Sequence, residues 1–171
     1  MSAEFASRLD RAGTEILRPM TMLELDGVVE LEQQVYPFPW SRGNFIDSFA
    51  AGYVAWTLNG SGGELLGYCI AMRGVEEMHL LNITVAPPAR RHGHARRMLA
   101  ELARLGHTEG ARRLWLEVRE SNDEARAMYV HLGFGHVGMR KAYYPAPAGR
   151  REDAIVMSLL LDADEDPYAL D

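Results

Sequence analysis

Hydrophobic positions recur along the chain at two spacings, and the changes of spacing mark out its elements. The short run at residues 15–20, "EILRPM", reads as a first strand. Thr21 followed by Glu24 has capping-box spacing and opens a helix over "MLELDGVVELEQQVY". Behind the break "PFPWS", Ser41 stands as the N-cap of a second short helix over about residues 42–51. "YVAWTL" and "LLGYCIAM" flank the turn-rich "NGSGG" and predict an antiparallel hairpin, and "MHLLNITV" is a fourth strand. Ala95, Met98, Leu99, Leu102 and Ala103 then fall at i, i+3, i+4, i+7 and i+8, one face of a helix. "RLWLEV" reads as a fifth strand, "NDEARAMYVHL" as a helix ended by Gly133, and "DAIVMSLLL" as the last strand. The predicted order is βααβββαβαββ.

Composition narrows the class. At 171 residues the chain has the length of one ordinary domain, placed at 14–161, with polar ends at 1–13 and 162–171 expected to be loose. Hydrophobic residues at 47% and charged residues at 25% fit a soluble globular protein. No apolar run approaches the ~18 residues of a membrane helix, and "MSAEFASRLDRAG" lacks the apolar core of a signal peptide. A cytoplasmic location is expected. The one cysteine, Cys69, sits in an apolar strand-like run and is read as a buried structural thiol. No set of His, Cys, Asp and Glu has metal-ligand spacing, so no metal is expected.

Net charge is −6, yet four arginines fall within residues 90–97, in "NITVAPPARRHGHARRMLAEL". Strand, Gly-bearing loop and helix start bring unpaired backbone N–H groups and the positive end of a helix dipole to one point, the physical form of a phosphate site. Gly93 removes a Cβ where a ligand approaches the backbone. A basic helix start with solvated arginines gives the same pattern. The spacings of a P-loop and of a dinucleotide fingerprint are both absent.

The loop resembles the acyl-CoA-binding motif of the GNAT N-acetyltransferases, [QR]-x-x-G-x-[GA], with its six positions at Arg90, Arg91, His92, Gly93, His94 and Ala95. "LLNITV", "LWLEVRESNDEARAMYVHLGF" and "YYPAPAGRREDAIVMSL" are similar to the ribosomal-protein-alanine N-acetyltransferase subfamily (RimI type), and the resemblance runs from about residue 18 to 161. It implies an α/β fold (an α+β mixed sheet) of the GNAT acyl-CoA N-acyltransferase type: a central, mostly antiparallel sheet with splayed strands 4 and 5 and flanking helices. It implies acetyl-CoA as co-substrate, its pyrophosphate on the loop at 90–96, Arg96 included, and its pantetheine arm along Ile83, Thr84 and Val85. Asn122 matches a cofactor-contacting position, and a plain helix cap fits it equally. Ala95 stands where the family usually has Gly.

The resemblance also assigns chemistry: Glu117 matches the proton acceptor and Tyr129 the proton donor. A free α-amine, with pKa near 8 against about 10.4 for lysine, needs only a modest base. An ordinary Glu, at about 4.3, is expected to work through a water or with its pKa raised by burial. A phenol stays protonated at neutral pH and can donate to a leaving thiolate. Read without the resemblance, Glu117 also fits a strand residue paired with a surface Arg, and Tyr129 fits packing at a helix end. His79 is the rival base, or a structural strand histidine; His92 and His94 are read as loop residues.

"YPFPWS" and "KAYYPAPAGR" match the walls of the family's peptide groove, which puts Trp40, Tyr143 and Tyr144 in proline-fixed loops against an extended N-terminal segment. The implied substrate is the N-terminal alanine of small-subunit ribosomal protein bS18, whose basic neighbours would be drawn to an acidic protein. The expected chain is a monomer without direct contact to nucleic acid or membrane. Two alternatives stay open: a GNAT enzyme acting on lysine side chains, polyamines or another small amine, and a non-enzymatic RNA-binding or interaction module using Arg90, Arg91, Arg96 and Arg97.

Overall fold

The structure, a computed structural model, describes residues 15–161; the ends expected to be loose lie outside the described residues. Seven strands and four α-helices follow in the predicted order: β1 (Ile16–Pro19), α1 (Leu25–Val35), α2 (Arg42–Ala50), β2 (Val54–Asn59), β3 (Leu65–Gly74), β4 (Glu77–Val85), α3 (His94–Thr108), β5 (Arg113–Arg119), α4 (Asp123–His131), β6 (Gly135–Pro145) and β7 (Arg151–Leu160). The strands form one sheet in the order β1-β2-β3-β4-β5-β7-β6. The pairs β1–β2, β2–β3, β5–β7 and β6–β7 are antiparallel, and β4–β5 is parallel. The β4–β5 ladder ends at Leu80 opposite Leu116, although β4 runs on to Val85 and β5 to Arg119. Among the described residues no helix is long and apolar enough to cross a membrane.

The residues group into two compact units. One holds residues 15–71 together with Asn82–Met98. Its helices begin on local signals. The Thr21 amide donates to Glu24 Oε2 at 2.7 Å, closing the capping box over a single 3₁₀ turn before α1. Ser41 Oγ accepts from the Asn44 amide at 3.1 Å at the head of α2. β3 presses closely on β4: a Cβ at Gly67 would stand 2.6 Å from the Thr84 carbonyl oxygen and 3.2 Å from Met98 Cε, so only glycine fits there. Cys69 is wholly buried, and burial pushes its thiol up to about 12, the inert core residue its context predicts.

The second unit holds Met72–Leu81 and residues 99–161. In β5, Leu114, Leu116 and Val118 face the core, which leaves Trp115, Glu117 and Arg119 on the opposite face. Asn122 Oδ1 accepts from the Ala125 amide at 3.2 Å as the N-cap of α4, and Gly133, at φ 93°, lies just past its end.

The structure corrects one expectation. Tyr143 and Tyr144 lie in strand β6 rather than in a proline-fixed loop. The reason is a bulge: the β6–β7 register slips between Arg140 and Tyr144, Ala142 takes φ 48°, and its amide donates to Asp153 Oδ1 at 2.7 Å. The irregularity is absorbed inside the strand, and pairing resumes at Tyr144 opposite Glu152. The prolines Pro145 and Pro147 end the strand and start the turn after it.

Candidate active site

In the first unit, β4 runs into the Arg-rich corner. Pro87–Ala89 form a 3₁₀ turn, after which Arg91 (φ 63°) and Gly93 (φ 79°) both adopt the left-handed region. Such residues turn neighbouring backbone amides toward one concave side. The Arg97 amide donates to the Gly93 carbonyl at 3.0 Å as an i to i−4 bond at the start of α3. The amides of His94, Ala95 and Arg96 therefore have no acceptor within the helix and carry its positive dipole end. A Cβ at Gly93 would meet nothing within 4 Å, so the fold asks for glycine here through its φ rather than through crowding.

The side chains of the corner divide in two. Arg91 and Arg96 are exposed, and Arg90 Nε leans 3.4 Å from the Val85 carbonyl. Arg97 instead turns inward, both its terminal nitrogens donating to the Glu15 carbonyl at 3.2 Å. His92 Nδ1 lies 2.8 Å from the Arg90 carbonyl oxygen, and buried His94 lies 3.6 Å from the Glu15 carboxylate, so both histidines brace the loop.

Further back on β4 stands a buried polar network that the sequence reading missed. Glu32, on α1 and 2% exposed, accepts from the Trp40 amide at 2.9 Å, from Asn82 Nδ2 at 3.1 Å and from the Tyr68 hydroxyl. Thr84 Oγ1 donates to Asn82 Oδ1 at 3.0 Å, and Tyr36 Oη lies 2.9 Å from Thr84 Oγ1 and donates to the Ile83 carbonyl at 3.1 Å. Burial raises the Tyr36 and Tyr68 phenols, and the Glu32 charge raises them further, so both remain donors. The available signal was Glu32 lying at helical spacing among the buried positions Leu25, Val28 and Leu31. Trp40 packs its ring 5.3 Å from Phe45, above this network's backbone anchor.

In the second unit the face of β5 opposite the core carries the chemistry. Glu117, its side chain 6% exposed, lies with Oε2 2.6 Å from His79 Nε2. The His79 ring stacks on Trp115, its direct partner in the β4–β5 register, with centroids 3.6 Å apart and planes 11° apart. Arg140 Nε lies 2.9 Å from Glu117 Oε1. The distance makes an ion pair, but the N–H is not directed at the oxygen, and Oε1 is left without a hydrogen bond. The Arg140 guanidinium also stands 5.6 Å from the Tyr143 ring centre and 5.8 Å from that of Trp115. Tyr143 meets Tyr144 edge-on at 4.9 Å, and Arg119 covers Tyr144 at 4.6 Å. Burial raises both phenols, and the Glu117 charge adds to it.

The structure thus gathers Glu117, His79, Tyr143 and Tyr144 with two residues that the sequence reading passed over, Arg140 and Trp115. Trp115 was legible as the i−2 neighbour of Glu117 on one strand face. Arg140 was not, because its place depends on the β6–β7 register, which sets it opposite Ala154. Tyr129, on α4, is 5% exposed and packs its ring 5.5 Å from Phe134. Asn122 is the cap of the same helix. Among the described residues no group of three or more His, Cys, Asp or Glu could hold a metal ion.

Comparison with known proteins matches this arrangement to one family. The family model described as "Acetyltransferase (GNAT) family" matches residues 25–134. The chain is 37% identical over 136 residues to the [ribosomal protein bS18]-alanine N-acetyltransferase of Escherichia coli (strain K12), covering 80% of this chain and 90% of that one. It is 34% identical over 143 residues to the enzyme of that name from Haemophilus ducreyi, covering 82% and 98%. The crystal structure of the ribosomal-protein-S18-alanine N-acetyltransferase from Escherichia coli superposes with a TM-score of 0.79 at 32% identity, over 92% of this chain and 99% of that one.

Proposed function

The chain belongs to the acetyltransferase (GNAT) family, and from that premise we propose that it transfers the acetyl group of acetyl-CoA to the N-terminal α-amine of a protein, the N-terminal alanine of ribosomal protein bS18. The observation that carries the catalytic part is Glu117: a carboxylate held among buried side chains, with one oxygen 2.6 Å from His79 and the other ion-paired with Arg140 at 2.9 Å but without a hydrogen bond. Most buried polar atoms are hydrogen-bonded, so a buried carboxylate with an acceptor left over calls for an account, and taking a proton from a substrate amine is the one proposed.

Acetyl-CoA supplies the activated acyl group. The substrate amine forms the new C–N bond at the thioester carbon, and the C–S bond breaks as the thiolate leaves. Glu117 accepts the amine proton, and Tyr129 returns a proton to the leaving sulfur. The loop at residues 90–96 holds the pyrophosphate on its amides, with Arg90, Arg91 and Arg96 adding charge. The edge of β4 at Ile83, Thr84 and Val85 receives the amide-bearing arm, and Asn122 adds a cofactor contact. Trp40, Tyr143 and Tyr144 wall the N-terminal segment. The same reading makes the chain a cytoplasmic monomer that touches neither nucleic acid nor membrane.

The test is one series of assays across pH. An Ala-initiated basic peptide should be acetylated with a rate that rises to the amine's own ionisation near ~8, while a peptide blocked at its α-amine and carrying a free lysine should not react. Glu117→Gln should lose most at low pH, where the amine most needs a base, and approach the parent at high pH. Rapid acetylation of the blocked peptide would move the substrate to lysine side chains or small amines. A deficit equal at every pH would remove Glu117 from the role of base.

A further inference from the structure

Only two buried side-chain polar atoms among the described residues lack a hydrogen-bond partner, His79 Nδ1 and Glu117 Oε1, and they belong to one bonded pair. A histidine serving the core alone is expected to have both ring nitrogens engaged. His79 has one nitrogen on a carboxylate, the other buried and unpaired, and its ring clamped flat on Trp115. Two lone pairs do not face each other at 2.6 Å, so a proton lies between Nε2 and Oε2.

We propose that His79 is a positioning residue for Glu117: the contact of its Nε2 with Oε2 fixes the orientation from which the carboxylate takes the amine proton. The inference rests on the reading of Glu117 as the base. His79 is assigned the positioning role because its Nε2 already faces the Glu117 carboxylate at 2.6 Å and its ring is held flat on Trp115. Arg140 cannot replace it, since its charge lies beside Oε1 without a directed N–H. The stack on Trp115 keeps the ring from turning, and the Trp115 indole is itself tied, Nε1 donating to Glu77 Oε2 at 3.2 Å. The device is therefore a chain of contacts, Glu77 to Trp115 to His79 to Glu117.

Substitutions at residue 79 test it, each read as kcat and KM for peptide and acetyl-CoA. His79→Leu should lower kcat about ten- to hundredfold, as loss of an orienting partner does, with KM for acetyl-CoA little changed. His79→Gln, whose amide N–H falls near the place of Nε2, should recover most of the loss. In a Glu117→Gln background His79→Leu should cost nothing further, because the group it orients is already gone. Losses that multiply, or a Gln variant as poor as Leu, would overturn the proposal. Should His79→Leu not fold, Gln against Asn decides: Gln active and Asn poor supports it, and equal activities overturn it. If Glu117→Gln keeps full activity at every pH, the reading of Glu117 has failed; if that variant is impaired while His79→Leu matches the parent, only the positioning role has failed.

Discussion

Tyr129 and Glu117 are both buried, and they call for opposite experiments because one is assigned a proton to give and the other a proton to take. Tyr129→Phe keeps the ring against Phe134 and removes only the hydroxyl, so the fold should be undisturbed. Turnover should fall ~10²-fold or more while acetyl-CoA affinity stays close to the parent value, measured by steady-state kinetics beside calorimetry. Equal losses in binding and turnover would make the tyrosine a packing residue. The family resemblance marks both positions, because each stands in a stretch whose neighbours are adjacent in the chain. Glu32 was not legible as a network centre: its partners Tyr68 and Asn82 are 36 and 50 residues away. Nothing in the spacing of a helix names partners at that separation.

Elements were read more securely at their starts than along their lengths. Capping at Thr21, Ser41 and Asn122 depends on contacts three residues apart, which sequence alone displays. The loop before α3 combines such a local rule with a functional one. Gly93 is glycine because its φ is 79°, and Val there would pay 1–3 kcal/mol of strain, ~1–3 kcal/mol being typical of a non-glycine residue forced into that region. Gly93→Val should weaken acetyl-CoA binding by about tenfold or more in calorimetry. Gly93→Asn, which tolerates the left-handed region, should lose much less, since nothing in the protein crowds a Cβ there. An Asn variant as weak as Val would show that the ligand's approach, and not the backbone, demands glycine.

For the molecule as a whole the relevant quantities are charge and mass action. A net charge of −6 favours approach of a basic N-terminal segment, although four arginines are gathered at the loop. A ligand that binds only the folded protein stabilises it by about 2.7 kcal/mol at a hundredfold excess over Kd. For a chain of this length that corresponds to a rise in melting temperature of roughly 5–10 °C. Scanning calorimetry with acetyl-CoA should show that rise, and RNA at equal concentration should not. An unchanged melting temperature at saturating acetyl-CoA would remove the anion site from residues 90–96.

What the sequence determined by itself is the set of interactions that close over short stretches of chain: the order of strands and helices, the capped helix starts and the left-handed glycine of the loop before α3. These depend on spacings of two to four residues, so the pattern of residue types contains them. Only the tertiary structure decided the surroundings of Glu117. His79, 38 residues earlier, reaches it because β4 pairs with β5 in a register that sets His79 on Trp115, two residues from Glu117 on the same strand face. Arg140 reaches it because β6 pairs with β7 so that Arg140 stands opposite Ala154, after a register slip between His136 and Gly138. Register and bulge are chosen by packing across the sheet, where a slip of one residue would turn every side chain to the other face. That choice is made by the folded chain as a whole, and no local spacing records it.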